Sequence, residues 1–394
     1  MEKEAVPRIK KILKRISFWF LVSLIFLLVF MFLLGIGFFD AKNISYNREN
    51  WINNINSEKE KLPPIPIIPP LDKADYDLRL KKLANIKENT APPLNENDIK
   101  NSINNPPDSK VKPQEQVVIE PSLWPVNAVY PNAGAILPFK RVVAYYGNLY
   151  STKMGVLGEY PENEMLERLM IEVKKWTDAD PETPVIPALH YIAVVAQGSA
   201  GKDGKYRARM PDSEIDKVIK IAEKVNGIVF LDLQVGFSDL QTEIPLLEKY
   251  FKMPQVHLGI DPEFSMKTGV RPGKIVGTFD AADINYAADY LAKIVRENNL
   301  TPKILIIHRY TQKMVTNYDK IKPLPEVQIL MHMDGWGGAD KKINTYKQFI
   351  YKEPVQFTGF KLFYKNDILE PKTILMSPEQ LLKLTPRPIY IQYQ

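Results

Sequence analysis

Residues Arg141 to Gln394, the last 254 of the chain, predict an α/β fold of the (β/α)8 TIM-barrel type on three observations. Eight strand-like apolar runs alternate with seven helical patterns. The segment has the usual length of such a barrel. Four of the runs place polar residues at every second position, as strands do when one parity faces the helices and the other faces a common axis.

The expected strands are Arg141 to Gly147, Val185 to Ala196, Gly227 to Gly236, Gln255 to Phe264, Lys303 to Tyr310, Val327 to Trp336, Phe357 to Tyr364 and Pro388 to Gln394. Helices are expected at 161–176, 212–225, 239–252, 280–299, 311–320, 340–351 and 377–384, with Asp212, Asp280 and Ser377 as N-caps. No eighth helix follows the last run, so part of 115–140 is expected to cover that gap.

The segments before the barrel have a different composition. Residues 1–16 hold six Lys/Arg against two Glu, which accounts for +4 of the net charge of +6. The rest of the chain is nearly neutral, so no electrostatic footprint for nucleic acid is expected. Ser17 to Phe39 is 23 residues without a charge, long enough as a helix to cross a hydrocarbon core of about 30 Å. The run ends at Phe38-Phe39-Asp40 rather than at a small-x-small site, which favours an uncleaved transmembrane anchor over a cleaved signal peptide. The basic flank then keeps residues 1–16 cytoplasmic and places the barrel on the extracytoplasmic side of the cell membrane.

Residues 40–138, with 14 prolines, read as a Pro-rich linker, within which Asp72 to Glu88 carries a short helical pattern. The chain has no cysteine, which excludes disulfides and thiolate chemistry.

Parity identifies the side chains expected at the axis. In the fourth run Val256, Leu258 and Ile260 face outward, so Gln255, His257, Gly259, Asp261 and Glu263 face inward. The sixth run repeats this, with Gln328, Leu330, His332 and Asp334 inward. The third run contributes Asp232 and Gln234 between Leu231 and Val235. In the eighth, Tyr390 and Gln392 alternate with Ile389 and Ile391.

Burying carboxylates costs several kcal/mol each unless they are paired or bound, so their convergence near strand C-termini points to chemistry. The catalytic candidates are Glu263, Asp261, Asp334 and Asp232. The substrate-binding candidates are Tyr146, Gln234, His308, Trp336, Lys361, Tyr364, Tyr390 and Gln392. His257 and His190 read as core histidines.

The fourth run ends Gly259-Ile260-Asp261-Pro262-Glu263, and this resembles the chitinase-type family of barrel glycoside hydrolases, whose fourth strand ends Asp-x-Asp-x-Glu. Asp-x-Glu is kept and Gly259 replaces the first Asp. The resemblance implies Glu263 as general acid and Asp261 as the group that steers a substrate acetamide. Met333-Asp334 loosely resembles that family's sixth-strand Met-x-Tyr-Asp.

The expected activity is carboxylate acid/base hydrolysis of a cell-envelope or environmental polysaccharide, without a cofactor or metal. One alternative is a metal-dependent hydrolase with His308, His332, Asp334 and Asp232 as ligands. Another is a barrel that binds glycan or a protein partner without turnover, which the Gly259 substitution keeps open. Other motifs carry less. Thr278-Phe279-Asp280 lacks the second Asp of a deacetylase motif. Gly198-Ser199-Ala200-Gly201-Lys202 lacks phosphate-loop spacing. The loop with Lys202, Lys205, Arg207 and Arg209 reads as a solvated basic face.

Overall fold

The computed structural model describes residues 68–86 and 122–394. Its centre is a closed parallel barrel of eight strands: β1 Arg141–Gly147, β2 Val185–Ala196, β3 Ile228–Leu233, β4 Val256–Ile260, β5 Lys303–Arg309, β6 Val327–Met333, β7 Phe357–Leu362 and β8 Tyr390–Tyr393. Each strand pairs with the next, and β1 closes the ring by pairing with both β2 and β8. Runs such as Ile304-Leu305-Ile306-Ile307 suit strands covered on both faces.

Nine α-helical segments occur among the described residues, and the longer ones are α1 Lys73–Ala84, α2 Glu162–Ala179, α3 Asp212–Glu223, α4 Leu240–Leu246, α5 Ala281–Asn298 and α6 Ala339–Tyr346. Helix α5 buries Ile284, Ala287, Ala288, Leu291, Ile294 and Val295 along one stripe. Asp280 caps it in a reciprocal capping box with Asp283, which gives the Thr278-Phe279-Asp280 motif a structural role.

The parity expected from the sequence holds. Leu231, Leu258, Ile260, Ile329, Met331 and Ile391 belong to the layer between strands and helices, whereas Phe230, Leu330 and Tyr390 belong to an axial cluster. Ile389 differs. It lies just before β8 begins, outside the pleat, and packs into the axial cluster.

Several expectations need correction. The helix expected over 239–252 divides, because Pro245 lacks the amide that would continue the ladder, and a separate turn forms at Glu248–Phe251. No α-helix forms over 311–320. Two 3-10 turns flank a two-residue strand, Val315–Thr316, which pairs with Phe279–Asp280. Thr316 Oγ1 donates to Asp280 at 2.7 Å, and Asn317 turns the chain with a φ of 54°. Asp212 is the first residue of α3 rather than its cap. The basic loop after β2 is not freely solvated: Arg207–Arg209 pairs antiparallel with β2, and both arginines bind Glu243.

Part of the region read as linker belongs to the barrel. Helix α1 and residues 136–139 bring Leu71, Tyr76, Leu80, Leu83, Ile136, Leu137 and Phe139 onto the axial cluster at the N-terminal ends of the strands. The segment fixes itself through Gln328, inward on β6. Its Oε1 accepts from the amides of Ile136 (3.1 Å) and Leu137 (3.0 Å), and its Nε2 donates to the Leu137 carbonyl (2.6 Å). Residues 136–139 therefore close the lower mouth, rather than filling the place of the missing eighth helix as expected of 115–140. Among the described residues no helix is long and apolar enough to cross a membrane, and the expected span Ser17 to Phe39 lies outside them.

Replacing Gln328 with Leu keeps the volume but strands the buried Leu137 amide and carbonyl and the half-buried Ile136 amide. Gln328→Leu should lose about 2–4 kcal/mol in urea unfolding, with faster hydrogen exchange at Ile136 and Leu137. An unchanged midpoint would show that the clasp is not needed.

Candidate active site

At the C-terminal ends of the strands lies a cleft of about 600 Å³, lined by Tyr146, Gln234, Asp261, Glu263, Tyr310, Asp334, Trp336, Lys341 and Lys361, among others. The acidic pair is built by a tight stop to β4. Asp261 follows the strand, its Oδ1 accepts the Glu263 amide at 3.0 Å, and Pro262 opens the 3-10 turn. Glu263 is therefore lifted to the rim while Asp261 stays buried. Gln234 braces Asp261: its Nε2 donates to Asp261 Oδ2 at 3.3 Å, and its Oε1 accepts the Ala196 amide.

Asp334 follows β6 directly and has two cationic neighbours. Lys361 Nζ lies 2.8 Å from its Oδ1, and His308 Nδ1 lies 2.7 Å from its Oδ2. Lys361 also sits over the Tyr146 ring at 3.9 Å. Trp336 stands at the rim, half exposed at 50%, with Lys341 against its ring.

One layer below, Asp232 is fully buried. Its Oδ2 accepts from the Tyr146 hydroxyl at 3.0 Å. Its Oδ1 faces His190 Nε2 at 3.4 Å and His308 Nε2 at 3.5 Å. His190 is held from behind by the Tyr390 hydroxyl at 2.6 Å from Nδ1, and Gln392 Nε2 donates to that hydroxyl at 2.9 Å. One potential ligand atom from each of His190, Asp232 and His308 lies within 4.8 Å of the others, a spacing compatible with a shared metal ion.

Gly259 lies opposite Asp232 in the β3–β4 register. A methyl group there would sit 2.5 Å from His190 Nε2 and 2.6 Å from Asp232 Oδ1. The aspartate that the chitinase-type signature places at this position therefore has no room. Gly359 does the same for His332 on β7, where a methyl would come within 2.6 Å of Nδ1.

The charges sort by partner. Burial works against ionising Asp334, but Lys361 and His308 outweigh it and hold the carboxyl well below the usual range. Asp232 is held low in the same way by His308 and His190. Burial would lower His308, yet the carboxylates of Asp232 and Asp334 push it up to about 10. His190 falls to about 4, chiefly through burial. Asp261 is raised well above its ordinary value by burial, with the Glu263, Asp232 and Asp334 charges adding to it. Glu263 is raised by burial and by the Asp334 charge.

The structure gathers Glu263, Asp261, Asp334, Gln234, Trp336, Lys361 and Tyr146 in the cleft. Asp232, His308, Tyr390 and Gln392 are buried and are not among the residues that line the cleft; they form the layer beneath it. Tyr364 leaves the site altogether: it shares the outward parity of Phe360 and Leu362, opposite to Lys361, and its ring stacks on Tyr393 and meets Tyr145 and Glu172. His257 is structural as expected, accepting the Ile304 amide at 3.1 Å. In the metal-ligand alternative, His190 takes the place of His332 and Asp334, the latter being engaged by Lys361 and by His308 Nδ1.

Sequence reasoning missed Tyr310, whose hydroxyl faces Glu263, and Lys341. The signal for Tyr310 was present, since it shares parity with His308 one step beyond β5.

The architecture defines the class: a closed eight-stranded parallel α/β barrel with polar groups at its C-terminal mouth. No protein-family model and no curated protein matches the chain, so nothing shows membership of the chitinase-type family. Solved structures similar to it include the Legionella pneumophila ChiA C-terminal domain, with 13% identity, 60% of this chain and 62% of that one covered, and a TM-score of 0.26. Another is wild-type Plasmodium falciparum HPPK-DHPS with pteroate, with 10% identity, 64% and 44% coverage, and a TM-score of 0.29. The matches thus span less than two thirds of either protein, and at these scores they carry no functional argument.

Gly259→Ala tests the floor. The added carbon must displace His190 or Asp232, so a loss of about 1–3 kcal/mol in unfolding free energy is expected. Wild-type stability in this variant would mean that the two side chains have slack.

Proposed function

We propose that the barrel hydrolyses glycosidic bonds in a polysaccharide by carboxylate acid/base catalysis. The observation that supports this reading best is a division of labour in one cleft. Lys361 and His308 contact Asp334 directly and favour its ionised form, while burial and the Asp334 charge raise Glu263 and favour its acid form. Glu263 is the general acid towards the leaving oxygen. Asp334 stabilises positive charge at the anomeric carbon, as nucleophile or as base for water. Asp261, fixed by Gln234, positions a polar substituent of the sugar. Trp336 offers an apolar face on which a ring can stack.

The uncharged run at 17–39 and its basic flank support the remaining part of the proposal, a barrel tethered outside the cell membrane. Protease added to intact cells should then remove the barrel; survival until lysis would reverse the topology.

The chemistry is tested on peptidoglycan and chitin fragments with product analysis. Glu263→Gln should lower kcat by about 10²–10⁴, and activity lost in Asp334→Asn should accompany it. Raising the Glu263 pKa extends its acid form above the ordinary value of about 4.3, so the alkaline limb of the wild-type profile belongs to Glu263 and should vanish in Glu263→Gln. Cleavage unaffected by Glu263→Gln would remove the assignment.

A further inference from the structure

We propose that His190 Nε2, Asp232 Oδ1 and His308 Nε2 bind a divalent first-row transition-metal ion on the barrel axis, one layer beneath the cleft. The three residues are fully buried, and none of these three atoms has a hydrogen-bond partner. Three unpaired polar atoms facing one another in a dry interior are costly unless something lies among them.

The two distances to the carboxylate oxygen fit such an occupant. At 3.4 and 3.5 Å the two imidazole nitrogens stand beyond good hydrogen-bond range of Asp232 Oδ1. Two ligands at about 2.0–2.1 Å from one ion in tetrahedral directions are separated by about 3.4 Å. Each donor is also fixed from behind, as metal ligands are. His308 Nδ1 meets the Asp334 carboxylate, His190 Nδ1 meets the Tyr390 hydroxyl, and Asp232 Oδ2 accepts from Tyr146. These contacts direct both Nε2 atoms at the carboxylate. Gly259 keeps the space beside them clear, since a side-chain carbon there would lie within 2.6 Å of both His190 Nε2 and Asp232 Oδ1.

Charge points the same way. Asp232 and Asp334 bring two negative charges to the floor, and Lys361 pairs with one of them. The other, on Asp232, is left to be met by a proton on His308 or by a metal cation among the three atoms. Two imidazoles and one carboxylate, in a chain without cysteine, suit zinc, iron(II), cobalt or manganese better than calcium or magnesium. The competing occupant is a proton on His308 Nε2.

The test uses the untagged full chain in detergent. Elemental analysis should find about one equivalent of transition metal after purification. After chelation, cobalt(II) should restore a ligand-field absorption that saturates at one equivalent and raises the melting temperature. His190→Gln should abolish the absorption. Tyr390→Phe, which keeps all three ligands, should weaken cobalt binding about 10–100-fold. Glu263→Gln should retain full metal content, so failure of the glycosidase reading leaves this one intact and the reverse. If a ligand variant does not fold, the wild-type titration still decides. Metal-free wild-type protein that gains neither absorption nor thermal stability from cobalt, zinc, manganese or iron(II) would assign the site to the proton and overturn the proposal.

Discussion

The interior of this barrel is organised around one expensive choice, the burial of the Asp232 carboxylate on the axis. Removing such a group from water costs several kcal/mol, and leaving it unpaired costs more. The neighbouring residues answer to that cost. His190 and His308 approach one oxygen, Tyr146 donates to the other, and the residues behind them hold these partners in place. Gly259 on β4 and Gly359 on β7 face inward, where a side-chain carbon would collide with His190 and Asp232 in the one case and with His332 in the other.

The same network reaches the cleft through two residues. Tyr146 roofs Asp232 and lines the cleft, and Gln234 Nε2 lies within hydrogen-bond range of both the Tyr146 hydroxyl and Asp261 Oδ2. Asp334 faces the cleft while accepting contacts from His308 below and Lys361 beside it. The lower mouth, by contrast, is closed by apolar side chains and one amide clasp, Gln328, so the polar groups concentrate at the end where barrel enzymes carry chemistry.

Strand parity made much of this legible in the sequence. The period of two survives burial, and it predicts Asp232, Gln234, Asp261 and Asp334 on the axial side. Parity does not report depth. Asp232 and Gln234 differ by one layer, and that layer separates a buried floor from an open cleft. Parity lapses outside the strand, which is why Ile389, just before β8, turned in. Tyr364, by contrast, shares the outward parity of Phe360 and Leu362 and so could not face the axis with Lys361. His190 read as an ordinary core histidine because its neighbours in β2 are apolar; its partners come from β3 and β8, a relation that only closure of the ring creates. Proline density made 68–86 and 122–140 look like linker, yet the register of the barrel gives their apolar residues a surface to cover.

The most direct measurement is the protonation of the chain's four histidines, all of them buried. Long-range proton–nitrogen spectra of the imidazoles in metal-chelated protein at neutral pH resolve each ring. The account requires His308 alone to carry two protons and to keep them until the pH nears about 10, with His190, His257 and His332 neutral. A His308 that is neutral at pH 7, or that titrates near the ordinary value of about 6.5, would show that Asp232 and Asp334 do not organise the barrel floor.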